Sequence, residues 1–366
     1  MTFELVLVFA LTLVASLALT PIARRAGIRV GLVDRPRPGE LQKRVVARTG
    51  GYALVASLTI GLLAGVLLFQ RNDEEWWRLG GFAAGLLVVV PVAFLDDRLR
   101  LGPSTQLVGQ IAAALVPIPF GLYIADVSTP SGAILTLPLA VAVPFTVLWV
   151  VGMINTLNWI DTSDGLAGGV SAIAALVLLA RTLAQGQYTV ALLPLVLAAA
   201  CLGFLPYNFN PARVIMGTSG SMLLGYALAM VAIFGGAKIA TALMVLGLPV
   251  FDTALVIVQR LAGRRSPFKG GDDAHLVHRL AHRGWGARRI ALAAYAACLL
   301  LGLAGLLFPG PYKAYVFGVA VVVVVGAAVL LSWRGRTPRA PRTLEQDLPE
   351  ELRDRELAAP APRLDR

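Results

Sequence analysis

Charge is scarce in this sequence. Asp, Glu, Lys and Arg make up 14% of its 366 residues, against about 25% in an ordinary soluble domain. Hydrophobic residues reach 57%, and the mean hydropathy is +0.74. That combination excludes a soluble globular chain and reads as an integral membrane protein. Cysteine is almost missing. Cys201 and Cys298 both lie inside apolar runs, so neither a disulfide framework nor a thiolate metal site is implied. No basic stretch precedes the first apolar run and no clear small-residue cleavage site follows it, so that run reads as a first spanning helix rather than a cleaved leader. No internal repeat is evident, which argues against the repeat-built secondary transporters.

What charge there is carries a sign. The net charge is +11, and the excess is bunched in alternate loops: Arg24 to Arg48, Arg98 with Arg100, Arg260 to Arg289, and Arg334 to Arg342. Positive charge sorted in this way follows the rule for cytoplasmic loops, so no nucleic-acid partner is inferred. Apolar runs near 3–20, 51–69, 80–95, 107–123, 137–154, 166–183, 189–205, 221–234, 239–258, 290–308 and 314–331 suggest about eleven spans, most near the ~20 residues a bilayer needs. The run 221–234 is short for a span. The expectation is an all-α polytopic protein of the cell membrane, amino terminus outside and carboxyl terminus cytoplasmic. Residues 1–333 form its transmembrane domain; 334–366, rich in Pro, Arg and Glu, read as a disordered cytoplasmic tail. Trp76 and Trp77 suit the outer interface belt, and Thr129 to Gly132 suit a hairpin turn.

The chain is organised around Asn155 to Gly169. Asn155, Asn158, Asp161 and Asp164 recur every third residue between two long apolar runs. An ionisable group at mid-bilayer costs roughly 2.5 kcal/mol or more, so these residues belong at the water-facing end of two helices. One of them would suffice to cap a helix; four overshoot that need. With the orientation above, every other suspicious polar group falls on the same inner face. These are Asp34; Asp96 with Asp97; Asn208 and Asn210 running into Gly217 to Ser221; and Asp252 with Ser266 and His275 to His278. Adjacent carboxylates at a lipid boundary tolerate each other best with a cation between them. Oxygen ligands with few competing nitrogens favour Mg²⁺, usually completed by substrate phosphates. His275 and His278 have no third ligand nearby for zinc, so phosphate contact or acid–base work is the better reading. The start of the helix at Gly217 offers backbone N–H groups to an anion.

These motifs, in this order, resemble the polyprenyl-phosphate N-acetylhexosamine-1-phosphate transferases (glycosyltransferase family 4). The resemblance runs from Gly31 to about Arg289. It rests on Gly-Leu-Val-Asp34-Arg-Pro, Arg48-Thr-Gly-Gly51, Phe-Leu-Asp96-Asp97-Arg, Asn155 to Gly169, Asn210-Pro-Ala-Arg213, Met216-Gly217, Pro249-Val-Phe-Asp252, Ser266-Pro-Phe268 and His275-Leu-Val-His278. The loop with Ser266 is more similar to the undecaprenyl-phosphate GlcNAc-1-phosphate branch than to the phospho-MurNAc-pentapeptide branch. The resemblance implies Mg²⁺-dependent transfer of a sugar 1-phosphate from a UDP-N-acetylhexosamine to undecaprenyl phosphate, releasing UMP, with Mn²⁺ as an alternative ion. It implies catalytic roles for Asp96, Asp97, Asp161, His275 and His278, with Asp97 and Asp161 at the metal. Asp34, Asn158, Asp164, Asn208, Arg265 and Ser266 fall to substrate binding. A homodimer is left open.

Three departures stand out. The family usually has Asp after Met-Gly, as a magnesium ligand, where this chain has Thr218; Val277 replaces a histidine; and Gln42 stands where a histidine is common. The readings left open are a phospho-MurNAc-pentapeptide transferase and a weak or non-catalytic relative that binds lipid or UDP-sugar. A transporter would want polar residues in mid-span, and little of that is seen beyond Asp252.

Overall fold

The computed structural model describes residues 2–34, 45–129, 133–234, 239–264, 275–308 and parts of 312–326. Gln42, Arg265, Ser266, most of the run 314–331 and the tail 334–366 lie outside the described residues. Everything below belongs to the unit formed by residues 1–325.

The chain begins with α1 (Thr2–Arg29), and a short strand pair follows, β1 (Val33–Asp34) against β2 (Val46–Ala47). Then come α2 (Gly50–Leu68) and α3 (Asp73–Leu99). Asn72 starts α3, its Oδ1 accepting from the Glu75 N–H at 2.8 Å. Asp73, Glu74 and Glu75 fill the first turn, where negative charge complements the helix dipole. The fourth predicted span is a shorter helix, α4 (Pro103–Leu115), followed by a 3₁₀ turn over Ile118–Phe120. Pro117 and Pro119 in this stretch cannot donate to a helical ladder. The expected hairpin is present as β3 (Asp126–Ser128) paired with β4 (Ile134–Thr136).

The second half holds α5 (Leu139–Ile160), α6 (Leu166–Ala184), α7 (Leu192–Asn208), α8 (Gly217–Phe234), α9 (Ile239–Val245), α10 (Gly247–Ala262), α11 (Leu276–Ala281) and α12 (Ala287–Leu307). Among the described residues seven helices are long and apolar enough to cross a membrane, eight if α9 and α10, bent by 81° at their junction, count as one. The chain is therefore a multi-pass membrane protein. Phe3, Leu67, Leu87, Leu148 and Leu307 stand well exposed on its helices, as lipid-facing side chains do.

Helix α8 is the centre. Every residue of it is buried, and it packs against α2, α3, α5, α6, α7 and α9. That explains the shortness of the run 221–234: a helix apolar all round and wrapped by protein meets little lipid. Close approach depends on small residues, as at other membrane helix contacts. A Cβ on Gly225 would sit 2.5 Å from the Ile154 Cα, and one on Gly51 would sit 2.2 Å from the Gly220 nitrogen. The heads of α2 and α8 are also tied by backbone bonds from Gly50 to Ile215 (3.0 Å), Gly51 to Met216 (2.8 Å) and Ile215 to Ala47 (3.0 Å).

Candidate active site

The head of α8 holds an anion, and the anion is a side chain. Asp97, near the end of α3, accepts from the Thr218 N–H through Oδ1 (2.9 Å) and from the Ser219 N–H through Oδ2 (3.0 Å). The first N–H groups of a helix lack partners of their own and attract negative charge. Arg48 adds its Nε at 3.1 Å from Asp97 Oδ1, and its Nη2 donates to Thr218 Oγ1 at 3.0 Å. Only glycine fits position 217, where φ is +68° and a Cβ would lie 2.8 Å from Asp97 Oδ1. Arg48 therefore supplies positive charge between Asp97 and the hydroxyl of Thr218.

The end of α5 faces the same place. Asn158 Oδ1 accepts from Ser221 Oγ at 2.7 Å, which ties α5 to α8. Asp161 follows directly after α5. It is half-buried and accepts no hydrogen bond among the described residues. Burial pushes its carboxyl well above the usual carboxylate range; Arg48 opposes that shift, while the charges of Asp97 and Asp164 add to it. Asp164 Oδ2 takes the Asn210 amide and the Ala212 N–H, both at 2.9 Å, so it organises the loop leading into α8. Asn208 donates to the Val214 carbonyl at 3.0 Å. Its buried Oδ1, like the hydroxyl of Ser163, has no partner among the described residues.

A further wall comes from α10 and α11. His275 Nδ1 lies 2.9 Å from Asp252 Oδ2, and its ring meets the edge of Trp159 at 5.7 Å. Trp159 in turn lies under the Arg260 guanidinium at 5.3 Å.

The structure thus brings Asp97, Asn158, Asp161 and Asp164 together, with Asn208 at the end of α7 and His275 packed against Trp159 of α5. It treats others differently. Asn155 donates to Gln110 Oε1 (2.7 Å) and the Val151 carbonyl (2.8 Å), so it fastens α4 to α5. Asp96 is buried and accepts from Gln106 Nε2 at 2.8 Å. Asp34 sits half-buried on β1, and no hydrogen bond or ion pair among the described residues joins it to the cluster. His278 lies half-buried on α11, and Arg265 and Ser266 are outside the described residues. The part played by Arg48 was not read from the sequence. Its signal was the motif Arg48-Thr-Gly-Gly51 at the head of an apolar run, which does not say what the arginine meets.

Residues 79–236 match the family model for glycosyl transferase family 4. Over 338 residues the chain is 32% identical to a probable undecaprenyl-phosphate N-acetylglucosaminyl 1-phosphate transferase of Bacillus subtilis, covering 90% of this chain and 87% of that protein. The chain belongs to the polyprenyl-phosphate N-acetylhexosamine-1-phosphate transferase family. A decaprenyl-phosphate N-acetylglucosaminephosphotransferase of Mycolicibacterium smegmatis is also 32% identical, over 88% of this chain and 87% of its own length. A phospho-N-acetylmuramoyl-pentapeptide-transferase of Pelotomaculum thermopropionicum is 30% identical over 81% of this chain and 94% of its own length. The segment matched by the family model contains Asp97, Asn158, Asp161, Asp164, Asn208 and Thr218. In this transferase the family segment therefore coincides with the cluster at the head of α8.

Proposed function

We propose that this transferase moves N-acetylglucosamine 1-phosphate from UDP-GlcNAc to undecaprenyl phosphate, releasing UMP, as the first membrane step of cell-wall or glycan assembly. An oxygen of the lipid phosphate attacks the β-phosphorus of the nucleotide sugar, and the bond from that phosphorus to the bridging oxygen of UMP breaks. The observation that carries the reading is the convergence of Asp97, Arg48, Asn158 and Asp161 on the head of α8. Such a site can receive two phosphorylated substrates beside the lipid, where catalysis is mostly positioning and charge neutralisation. The sorting of basic loops supports a cytoplasmic site, with the amino terminus outside and the carboxyl terminus inside.

The donor set fits a magnesium ion completed by substrate. Among the described residues no three His, Cys, Asp or Glu side chains could hold a metal alone, and Mg²⁺ is commonly held by one or two carboxylates with substrate phosphates and water. Asp161 is the better anchor. Its carboxylate accepts no hydrogen bond among the described residues and faces two like charges, so a cation there relieves repulsion. Asp97 is the second candidate, sharing oxygens that already serve Arg48 and α8. A bound ion would neutralise charge developing on the phosphates; Mn²⁺ is the alternative ion. Arg48 holds Asp97 in place, and Asp164 shapes the loop that leads into α8.

Purified protein given UDP-GlcNAc, undecaprenyl phosphate and Mg²⁺ is expected to release UMP. A panel including UDP-GalNAc and UDP-MurNAc-pentapeptide identifies the sugar, and no release from any of them contradicts the reading. One observation favours a second reading, in which metal binding is weak: Thr218 offers a hydroxyl already engaged by Arg48. Thr218→Asp is then expected to lower the Mg²⁺ concentration for half-maximal rate by about tenfold, the scale on which site groups alter metal affinity. An unchanged Mg²⁺ curve removes that reading.

A further inference from the structure

Helix α6 starts beside the cluster at Leu166 and carries the chain away from it to a junction with α9 and α12. A Cβ on Gly302 of α12 would lie 2.7 Å from Val177 Cγ2 of α6 and 3.1 Å from Val245 Cγ2 of α9. One turn further from the cluster, the same faces present Arg181 on α6 and Thr241 on α9, since residues four apart on a helix are neighbours. Gly305 of α12 belongs to this layer: its added Cβ would lie 3.6 Å from Thr241 Cγ2. Lys313, beyond the end of α12, reaches into it, and its Nζ donates to Thr241 Oγ1 at 3.4 Å. Arg181 is close enough for its charge to act on the Lys313 ammonium. The layer lies roughly 20 Å along α6 from Leu166. It is not part of the substrate site.

This layer is rich in donors and short of acceptors. Arg181 and Lys313 are both half-buried. Among the described residues Arg181 makes no hydrogen bond or ion pair, and Lys313 makes only the bond to Thr241. Arg181 stands in the last turn of α6, where a helix end carries about half a negative charge. That offsets part of one cation, not two. Cations withdrawn from water without a counter-charge are costly, and a guanidinium, an ammonium and a hydroxyl together suit the oxygens of a phosphate. The surface beside them says which phosphate. Phe308, Tyr312 and Tyr315 are well exposed next to Lys313, as aromatic rings are at the headgroup level of a bilayer. We propose that Arg181, Lys313 and Thr241 bind the phosphate of an anionic phospholipid, whose acyl chains lie along the exposed leucines of α12. Leu299, Leu300, Leu303 and Leu307 form that face. A zwitterionic lipid brings an ammonium of its own to the two cations and gains less. The site stands whether or not the transferase reading does.

Native mass spectrometry of the full-length protein in detergent, given phosphatidylglycerol and phosphatidylcholine of the same acyl chains, reads the bound lipid directly. The wild type is expected to retain phosphatidylglycerol in preference to phosphatidylcholine. A basic residue near a membrane surface is worth about fivefold in affinity for acidic lipid. Arg181→Gln and Lys313→Gln are therefore each expected to weaken phosphatidylglycerol binding by about that factor. Arg283→Gln removes a cation at the other end of α12 and is expected to bind phosphatidylglycerol as the wild type does. Equal retention of the two lipids by the wild type, or undiminished phosphatidylglycerol binding in Arg181→Gln or Lys313→Gln, overturns the proposal. An equal loss in Arg283→Gln also overturns it, because net charge alone is then at work. Displacement of the lipid by millimolar inorganic phosphate does so too, by assigning the layer to a free anion.

Discussion

Asp161 is where the electrostatics of single residues have a measurable consequence. Its carboxyl titrates well above the ordinary value of 3.8, from burial first, with Arg48 opposing and Asp97 and Asp164 adding. The folded chain therefore binds more protons than the unfolded chain at pH values above the ordinary one, and stability falls as pH rises through that window. Asp161→Asn removes the slope. In detergent with EDTA, the variant is expected to gain thermal stability over the wild type at pH 8 and to gain little or none at pH 4. A gap that shrinks with rising pH contradicts the assignment. The residue scale also shows what the sequence could tell. Scarce carboxylates at the mouths of apolar runs marked Asp97, Asp161 and Asp164, because their burial without a purpose is costly. The three-residue spacing misled at Asn155. Three residues turn a helix by about 300°, so each step drifts about 60°, and Asn155 reaches Gln110 rather than the cluster. The partner of Asp97 was hidden for another reason: no local pattern says that a residue at 97 meets the head of a helix starting at 217.

At the scale of elements, the site depends on two helix heads meeting. Gly51 on α2 and Gly220 on α8 have no room between them, so Gly51→Ala must push them apart. Overpacking of this kind costs about 1–3 kcal/mol, and it displaces Ser219, whose N–H holds Asp97. The variant is expected to melt earlier and to turn over more slowly; a variant with wild-type stability and rate contradicts the contact. Helix positions were legible from apolar runs, since most runs became single helices. The exceptions have local causes. The run 107–123 divides because two prolines follow Leu115, and the run 239–258 bends by 81° between Val245 and Gly247. Apolarity alone does not distinguish a bent pair from a straight span. The short run 221–234 was legible as unusual, and the structure gives the reason: α8 is enclosed by other helices.

At the scale of the whole molecule, the sorting of loop charge predicts an orientation that impermeant reagents check. Cys201 and Cys298 are buried, so single cysteines introduced at Thr129 and Arg283 report their own sides. In intact cells, Thr129→Cys is expected to react with an impermeant maleimide and Arg283→Cys to react only after permeabilisation. The reverse pattern contradicts a cytoplasmic site. The proposed orientation would set the site on the side where nucleotide sugars are made.

The central claim is that carboxylates gathered at the head of α8 transfer a sugar phosphate onto a lipid phosphate. Mass spectrometry of lipid extracts tests it most directly, after reaction of the wild type and of Asp97→Asn with UDP-GlcNAc, undecaprenyl phosphate and Mg²⁺. The account predicts undecaprenyl diphospho-GlcNAc and UMP in equal amounts from the wild type, and neither from Asp97→Asn. Wild-type protein that yields no lipid-linked product from any UDP-N-acetylhexosamine, or an Asp97→Asn variant at the wild-type rate, would contradict it.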